Sequence, residues 1–286
     1  MYSTSTVKTR QGVELFLHRW QAVEKPLARI ALVHGLAEHA QRYDAFAQRL
    51  NAAGIELIAV DLRGHGRSSG ERVWIDRFDD YLLDADVLVE VAETTAPAAV
   101  PLFLMGHSMG GTIAALYVAE RAATRKLAGL ILSSAALKPG RDVPRWQLAL
   151  GKIIGAIRPR FPALKIDPAL LSRASGVVEA NRRDPLVHHD AISARTCAQL
   201  LAAMTRIETK RASIALPLFV FHGTADKLTE PDGSREFEAA TSSTDSTLLM
   251  LEDSYHETLN DLDRDRVIRA LVDWTLVRAD LQRSRM

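Results

Sequence analysis

Short apolar runs recur along the chain, and most of them end in Gly, Ser or Asp. The run at 13–20 alternates apolar and polar residues, as a half-buried strand does, and the turn before it would pair it with residues 2–9. The later runs are almost continuously apolar, which indicates strands buried on both faces. The pattern predicts eight strands, at 2–9, 13–20, 29–35, 55–64, 101–106, 127–134, 217–223 and 247–254.

Helical periods separate most of these runs. The clearest lie at 43–54, where Gly54 would end the helix, and at 79–93. Strands that are buried on both faces and separated by helices predict an α/β fold with a mostly parallel sheet covered by helices. In such folds, sites form beyond the carboxyl ends of the strands.

One segment, residues 138–211, breaks this alternation directly after the sixth strand. It predicts loops and helices, with the clearest helices at 145–157 and 191–210. It carries 14 Lys and Arg against 6 Asp and Glu, although the whole chain has a net charge of only +1. A long insertion of this kind is typical of a lid or binding element. We therefore expect a helical cap at 138–211 on a core formed by 1–137 and 212–286.

Composition narrows the classes of protein that the chain could represent. The net charge of +1 gives no global reason to expect nucleic-acid binding. Cys197 is the only cysteine, so no intrachain disulfide can form and a reducing compartment is compatible. The first residues lack a signal-peptide pattern, and no apolar run approaches the roughly 18 residues needed to cross a bilayer. We expect a cytoplasmic protein.

The stretch "LFLMGHSMGG", at 102–111, places Ser108 between Gly106 and Gly110 where a strand meets a helix. A nucleophile at such an elbow has a strained backbone, and its neighbours two positions away must be small because strand and helix pass close together. A G-x-S-x-G pattern also arises by chance, and an ordinary glycine-rich turn would produce it. Other parts of the chain therefore have to distinguish a nucleophile elbow from an ordinary turn.

A serine nucleophile needs a base, and the base needs an orienting carboxylate. Asp226 follows the strand at 217–223, and His256 follows the strand at 247–254, so both stand in the required order after Ser108. Alone, Asp226 could be a turn residue and His256 a polar residue at a helix start. The coincidence of all three at strand ends favours a catalytic triad.

An oxyanion intermediate needs hydrogen-bond donors. The backbone N–H of Met109 follows the nucleophile, and the loop "VHGLAEH" after an early strand offers the N–H of Leu36. Preorganised donors of this kind stabilise the transition state by roughly 3 to 4 kcal/mol each. We expect Leu36 and Met109 to form the oxyanion hole.

Several blocks of the chain carry a family resemblance: "HGLAEHAQRY", "DLRGHGRSSGER", "GHSMGG", "DPL", "HGTADK" and the final "YH". In this order they resemble the α/β-hydrolase superfamily and, within it, the monoacylglycerol lipase and lysophospholipase group. The resemblance implies the α/β-hydrolase fold, with Ser108, Asp226 and His256 as the triad. It also implies that Glu38 and Arg42 help to shape the headgroup end of the pocket. His107 is a third candidate for substrate binding.

The chain departs from the mammalian members of this group at two places. Leu36 and Ala37 stand where those enzymes have smaller residues, and "EANRRD" stands where a tyrosine is expected shortly before "DPL". These departures leave the acid–base residues intact but affect the contacts expected for glycerol.

The expected function is release of a fatty acid from a monoacylglycerol-like ester through an acyl-enzyme. The alternatives are a lysophospholipase, a broad carboxylesterase and a non-catalytic binding protein. No cofactor is implied, and the adjacent His188 and His189 are poorly spaced to share a metal ion. The basic cap predicts transient contact with a membrane surface. No nucleic-acid or protein partner is expected.

Overall fold

The computed structural model describes residues 1–22, 25–95, 99–121, 125–140 and 144–284. Eight strands form one sheet in the order β1-β2-β4-β3-β5-β6-β9-β10. The strand β2 runs in the opposite direction to the other seven. The strands are β1 (Tyr2–Lys8), β2 (Glu14–Trp20), β3 (Ala28–Val33), β4 (Ile55–Val60), β5 (Leu102–His107), β6 (Leu127–Ser133), β9 (Leu218–Gly223) and β10 (Ser246–Leu251). All eight predicted strands, and the mostly parallel sheet, are confirmed.

Helices cover both faces of this sheet. They are α1 (Asp44–Ala52), α2 (Asp79–Thr94), α3 (Met109–Arg121), α4 (Arg145–Ile157), α5 (Ser175–Arg183), α6 (Ala194–Lys210), α7 (Pro231–Ala240) and α8 (Arg264–Arg283). One hydrophobic cluster joins the sheet to α2 and α3 through Tyr81 and Tyr117. A second joins the opposite face to α1 and α8 through Phe46 and Trp274. Burial of these apolar faces on both sides of the sheet is the main favourable contribution to folding.

The register of the central strands brings their carboxyl ends to one edge. Val33 of β3 pairs with Gly106 of β5, and His107 at the end of β5 pairs with Ser133 of β6. The loops that follow β3, β5, β6, β9 and β10 therefore leave the sheet at the same edge, where parallel α/β folds place their sites.

The proposed cap, residues 138–211, lies between β6 and β9 in the chain. It contains α4, α5 and α6 and a two-stranded sheet of β7 (Pro162–Leu164) and β8 (Ile192–Ser193). We did not predict this small sheet, because strands of three and two residues are too short to show a periodicity. Several hydrogen bonds attach α6 to the core. They include one from Thr196 Oγ1 to the Val73 carbonyl at 3.0 Å and one from the Phe78 N–H to Gln199 Oε1 at 3.0 Å.

Within the part of the chain that the structure describes, no helix combines the length and the apolar character needed to cross a membrane.

Candidate active site

Ser108 occupies the sharp turn between β5 and α3. Its φ is +54°, in the left-handed region that side chains seldom adopt, so the strained elbow expected from the sequence is present. A Cβ atom at Gly106 would overlap the Gly110 carbonyl, and one at Gly110 would overlap the Val33 carbonyl. The two glycines are therefore required by close backbone packing. The Ser108 N–H donates to the Ser133 carbonyl at 3.0 Å, which ties the elbow to β6.

Asp226 and His256 meet beyond the ends of β9 and β10. His256 Nδ1 lies 2.6 Å from Asp226 Oδ2, and both side chains are buried. Asp226 Oδ1 accepts hydrogen bonds from the backbone N–H groups of Leu228 at 2.8 Å and Thr229 at 3.1 Å. The carboxylate is therefore fixed on both oxygens, and the imidazole that it orients keeps Nε2 for another partner.

Electrostatics favours an ionised Asp226 beside a basic His256. Burial raises the pKa of Asp226, but His256 and His222 beside it outweigh burial and hold that pKa well below its usual range. Burial also lowers the pKa of His256, yet the neighbouring Asp226 carboxylate outweighs it and leaves that pKa above the ordinary value. A base with these properties suits proton removal from a serine hydroxyl.

Ser108 and His256 face a common cavity of about 500 Å³ between the core and the proposed cap. Apolar cap side chains form much of its wall, including Leu148, Leu164, Leu171, Leu200 and Met204. Among the described residues, none forms a hydrogen bond with the Ser108 hydroxyl. This group is therefore available to a bound molecule, and the geometry brings all three predicted triad residues to one site.

The predicted oxyanion donors flank this cavity. Leu36 and Met109 both line it, and within the described residues neither backbone N–H donates to another backbone group. Met109 is the first residue of α3, so its N–H belongs to the free donors of a helix N-terminus. The roles of Leu36 and Met109 remain our prediction, and their positions are compatible with it.

Glu38 and Arg42 both line the cavity, but their charged groups are already paired. Glu38 Oε1 accepts from the Gly35 N–H at 2.6 Å and from the Tyr43 hydroxyl at 2.8 Å, while Oε2 accepts from Arg42 at 2.8 Å. Arg42 also contacts Glu257 through two hydrogen bonds of 2.6 and 2.8 Å. Glu38 and Arg42 thus belong to a buried network that holds the Gly35–Leu36 loop in place. A contact with substrate would come in addition to this structural role.

The pKa values of this network reflect mutual pairing. Burial raises the pKa of Glu38, but Arg42, two neighbouring histidines and the hydrogen bond from the Gly35 N–H together outweigh burial and lower that pKa to about 2. Burial lowers the pKa of Arg42, and the two carboxylates of Glu257 and Glu38 outweigh it and raise that pKa. Glu38 and Arg42 are therefore both charged at neutral pH.

His107 lies in the cavity wall beside His256, with the ring centroids 4.8 Å apart. Its Nδ1 lies 3.0 Å from the Ser133 hydroxyl. Burial and the neighbouring His256 lower the pKa of His107 to about 4, so its ring is neutral near pH 7. Its part in substrate binding remains a prediction.

Sequence reasoning missed several residues that support the site. His222 Nε2 lies 3.0 Å from Asp226 Oδ2, so Asp226 stands between two histidines. The Thr229 hydroxyl lies 2.8 Å from the same oxygen. His39 Nε2 lies 2.8 Å from Asp184 Oδ2, which ties the loop after β3 to the "DPL" block of the proposed cap. His39, Asp184 and His222 stand within the quoted blocks, which was their only signal in the sequence, whereas Thr229 lies outside those blocks and had none.

Across the described ranges, no group of three or more His, Cys, Asp or Glu side chains could hold a metal ion.

Comparison with known proteins agrees with this geometry. A family model described as "Serine aminopeptidase, S33" matches residues 24–263, which is most of the chain. The chain belongs to this family. It is therefore an α/β-hydrolase, as the order of its sequence blocks implied.

Individual relatives of this hydrolase point to one group within the family. The monoacylglycerol lipase of Mycolicibacterium smegmatis is 33% identical over 92% of this chain and 93% of its own length. The monoglyceride lipase of Rattus norvegicus is 34% identical over 86% of this chain and 80% of its own. The crystal structure of Paleococcus ferrophilus monoacylglycerol lipase superposes with a TM-score of 0.80 at 32% identity, over 92% of this chain and 99% of that one. The resemblance to the monoacylglycerol lipase group is confirmed.

Proposed function

We propose that this hydrolase releases a fatty acid from monoacylglycerol-like esters through an acyl-enzyme intermediate. The observation that carries the proposal is that Ser108, at a strained elbow, and His256, paired with Asp226, line the same largely apolar cavity. An apolar cavity with few polar groups suits a substrate with one alkyl chain and a small polar end. The relatives named above act on this substrate class according to their names.

In the proposed reaction His256 Nε2 takes the Ser108 proton while Oγ attacks the ester carbonyl carbon. The Leu36 and Met109 N–H groups would stabilise the oxyanion of the tetrahedral intermediate. His256 then returns the proton to the glycerol oxygen as the carbon–oxygen bond breaks, leaving an acyl-Ser108 ester. His256 then takes a proton from water as the water oxygen attacks the acyl carbon, and it returns that proton to Ser108 Oγ as the acyl–serine bond breaks and the fatty acid leaves. Asp226 remains ionised and orients the imidazole throughout.

A lysophospholipase is the second candidate function. The proposed cap has eight more basic than acidic residues, and Lys227, directly after Asp226, lines the cavity. A cation at this place would favour the phosphate of a lysophospholipid headgroup.

The substrate class is tested by measuring fatty-acid release from a monoacylglycerol and from the lysophosphatidylcholine with the same chain. An aminoacyl anilide should be included, because the matching family model is described as an aminopeptidase. We expect kcat/KM to be at least about tenfold higher for the monoacylglycerol, since it places no charge in the apolar cavity. Preference for the lysophospholipid would favour the second candidate. Absence of both hydrolysis and fluorophosphonate labelling of Ser108 would favour a binding protein.

We also propose that α4 contacts membrane surfaces while the enzyme itself resides in the cytoplasm. Trp146, Ile153 and Ile157 of α4 are 64%, 54% and 74% exposed, although all three are large and apolar. Their spacing places them on one side of the helix. Lys152 and Arg158 are exposed nearby. An apolar face with basic neighbours is typical of helices that lie on anionic membranes.

Replacing Trp146, Ile153 and Ile157 by Ser is expected to weaken vesicle binding at least about tenfold, because each side chain loses its burial in lipid. Sedimentation with phosphatidylcholine vesicles, with and without phosphatidylglycerol, measures this effect. The control is a variant of α8, in which Val277 and Leu281 are 57% and 52% exposed. It replaces both of these residues by Ser. Equal binding to neutral and anionic vesicles, or an equal loss in both variants, would contradict the proposal.

A further inference from the structure

A second, smaller cavity lies beneath α4, between this helix, β7 and α6. Its volume is about 200 Å³, and Gln147 is its only polar lining side chain among the described residues. Ile154 and Phe161 contribute to its wall, and Gly151 leaves it open on the side of α4. We call this space the α4 compartment.

The α4 compartment adjoins the cavity that contains Ser108. Four residues line both spaces: Gln147, Ala163, Cys197 and Leu201. Cys197 and Leu201 are four positions apart on α6, so they lie on one face of that helix. The side chains of Cys197 and Leu201 therefore stand at the border of the two spaces, and side-chain rotation is fast and local.

We propose that the α4 compartment is a subsite for the methyl end of long acyl chains whose ester group lies at Ser108. The inference rests on the proposed function, because the ester at Ser108 defines which end of the chain reaches this space. A chain that outgrows the main cavity would pass Cys197 and Leu201 and continue against the apolar wall formed by Ile154 and Phe161.

Size and chemistry both suit an alkyl chain. An engineered cavity of about 150 Å³ binds benzene, so a space of 200 Å³ has room for about six further carbons, here in a compartment whose wall residue Phe161 is 47% exposed. Burial raises the pKa of the Cys197 thiol to about 11, so the wall carries no thiolate charge at neutral pH. Each methylene that enters such a space favours binding about fourfold.

Gly151 offers a direct way to fill the compartment. A Cβ atom added there would have no heavy atom within 4 Å, and Gly151 lines the compartment, so we expect a Leu at this position to occupy part of the space. Replacing a glycine inside a helix also raises helix propensity, so Gly151→Leu is expected to fold. Gly176 on α5 is the matched control, because its Cβ would likewise meet nothing within 4 Å and it lines neither cavity.

The first experiment measures kcat/KM for 4-nitrophenyl esters of butyrate, octanoate and palmitate with wild type, Gly151→Leu and Gly176→Leu. Blocking as few as two methylene positions should lower the palmitate-to-octanoate ratio about fifteenfold in Gly151→Leu. The butyrate rate and all rates of Gly176→Leu should match wild type. An unchanged palmitate-to-octanoate ratio in Gly151→Leu would overturn the proposal.

A second measurement separates this inference from the proposed function. Calorimetry gives the affinity of Ser108→Ala for palmitate and octanoate, with and without Gly151→Leu, and needs no turnover. A lower palmitate preference in the double variant supports the subsite even if no ester is hydrolysed. The opposite result is also informative. If every variant hydrolyses monoacylglycerol and the chain-length preference is unchanged, the proposed function is supported and the subsite is refuted.

Discussion

Ser108→Ala is expected to lower kcat for ester hydrolysis by about 10⁶-fold, the size of the effect when a triad serine is removed from a hydrolase. Without Oγ there is no atom to form the acyl bond, and His256 has no hydroxyl to deprotonate. The fold should be unaffected, because the elbow depends on close packing at Gly106 and Gly110 and no described residue bonds to the Ser108 hydroxyl. Steady-state fatty-acid release and thermal unfolding measure the two parts of this expectation.

Three observations make this test specific. Fluorophosphonate labelling should disappear together with turnover, and the melting temperature should stay at the wild-type value. Ser3→Ala, in the exposed edge strand β1, is the matched control and should retain full activity and labelling. Turnover by Ser108→Ala at the wild-type rate would show that the nucleophile lies elsewhere.

Arg42→Met is expected to lower the free energy of unfolding at pH 7 by about 3 to 5 kcal/mol, because it leaves buried carboxylates without their counter-ion. Arg42 is 11% exposed in its side chain and pairs with both Glu38 and Glu257. Met keeps an unbranched apolar stem in place of the aliphatic part of Arg42, so the loss mainly reflects the missing guanidinium charge. Urea unfolding at pH 7 and at pH 5 measures it.

The pH dependence distinguishes this cause from a packing defect. In wild type the pKa of Glu38 is lowered to about 2, so its stabilising contribution is present above the unfolded pKa of about 4.3 and is lost as pH falls toward 2. Without Arg42 burial raises that pKa, so protonation relieves the cost below neutral pH. The difference in unfolding free energy between variant and wild type should therefore shrink from pH 7 to pH 5.

Arg49→Met is the control for the loss of a salt bridge as such. Arg49 pairs with Asp265 at 2.8 Å, but the side chains are 50% and 63% exposed. Exposed pairs of this kind contribute less than about 1 kcal/mol. Two outcomes would contradict the role assigned to the Glu38–Arg42–Glu257 network. One is an equal loss of stability in Arg42→Met and Arg49→Met. The other is a difference in unfolding free energy between Arg42→Met and wild type that is the same at pH 7 and pH 5.

The chain's local patterns were sufficient to predict the sheet and the strained elbow at Ser108. The strands β3, β4, β5, β6 and β9 are short apolar runs that are buried on both faces, which makes them visible without knowledge of their neighbours. The polar strand β1 was predicted only from the turn that pairs it with β2. The elbow was equally visible, because Gly106 and Gly110 are needed for steric reasons that act within a few residues of Ser108. Ser108, Asp226 and His256 each follow the end of a strand. Because the carboxyl ends of parallel strands lie at one edge of the sheet, their location at a common edge could be predicted.

Contacts between distant segments were decided only by the tertiary structure. Nothing local indicates that Arg42 pairs with Glu257, 215 positions away, or that His39 contacts Asp184. In the sequence, His222 is indistinguishable from any other buried strand residue. Only the structure shows that the turn at Asp226 brings the carboxylate into contact with the His222 ring. The α4 compartment likewise exists only because α4 and α6 pack across β7. Apolar periodicity records which residues are buried, whereas side-chain pairing depends on how the buried segments meet in space.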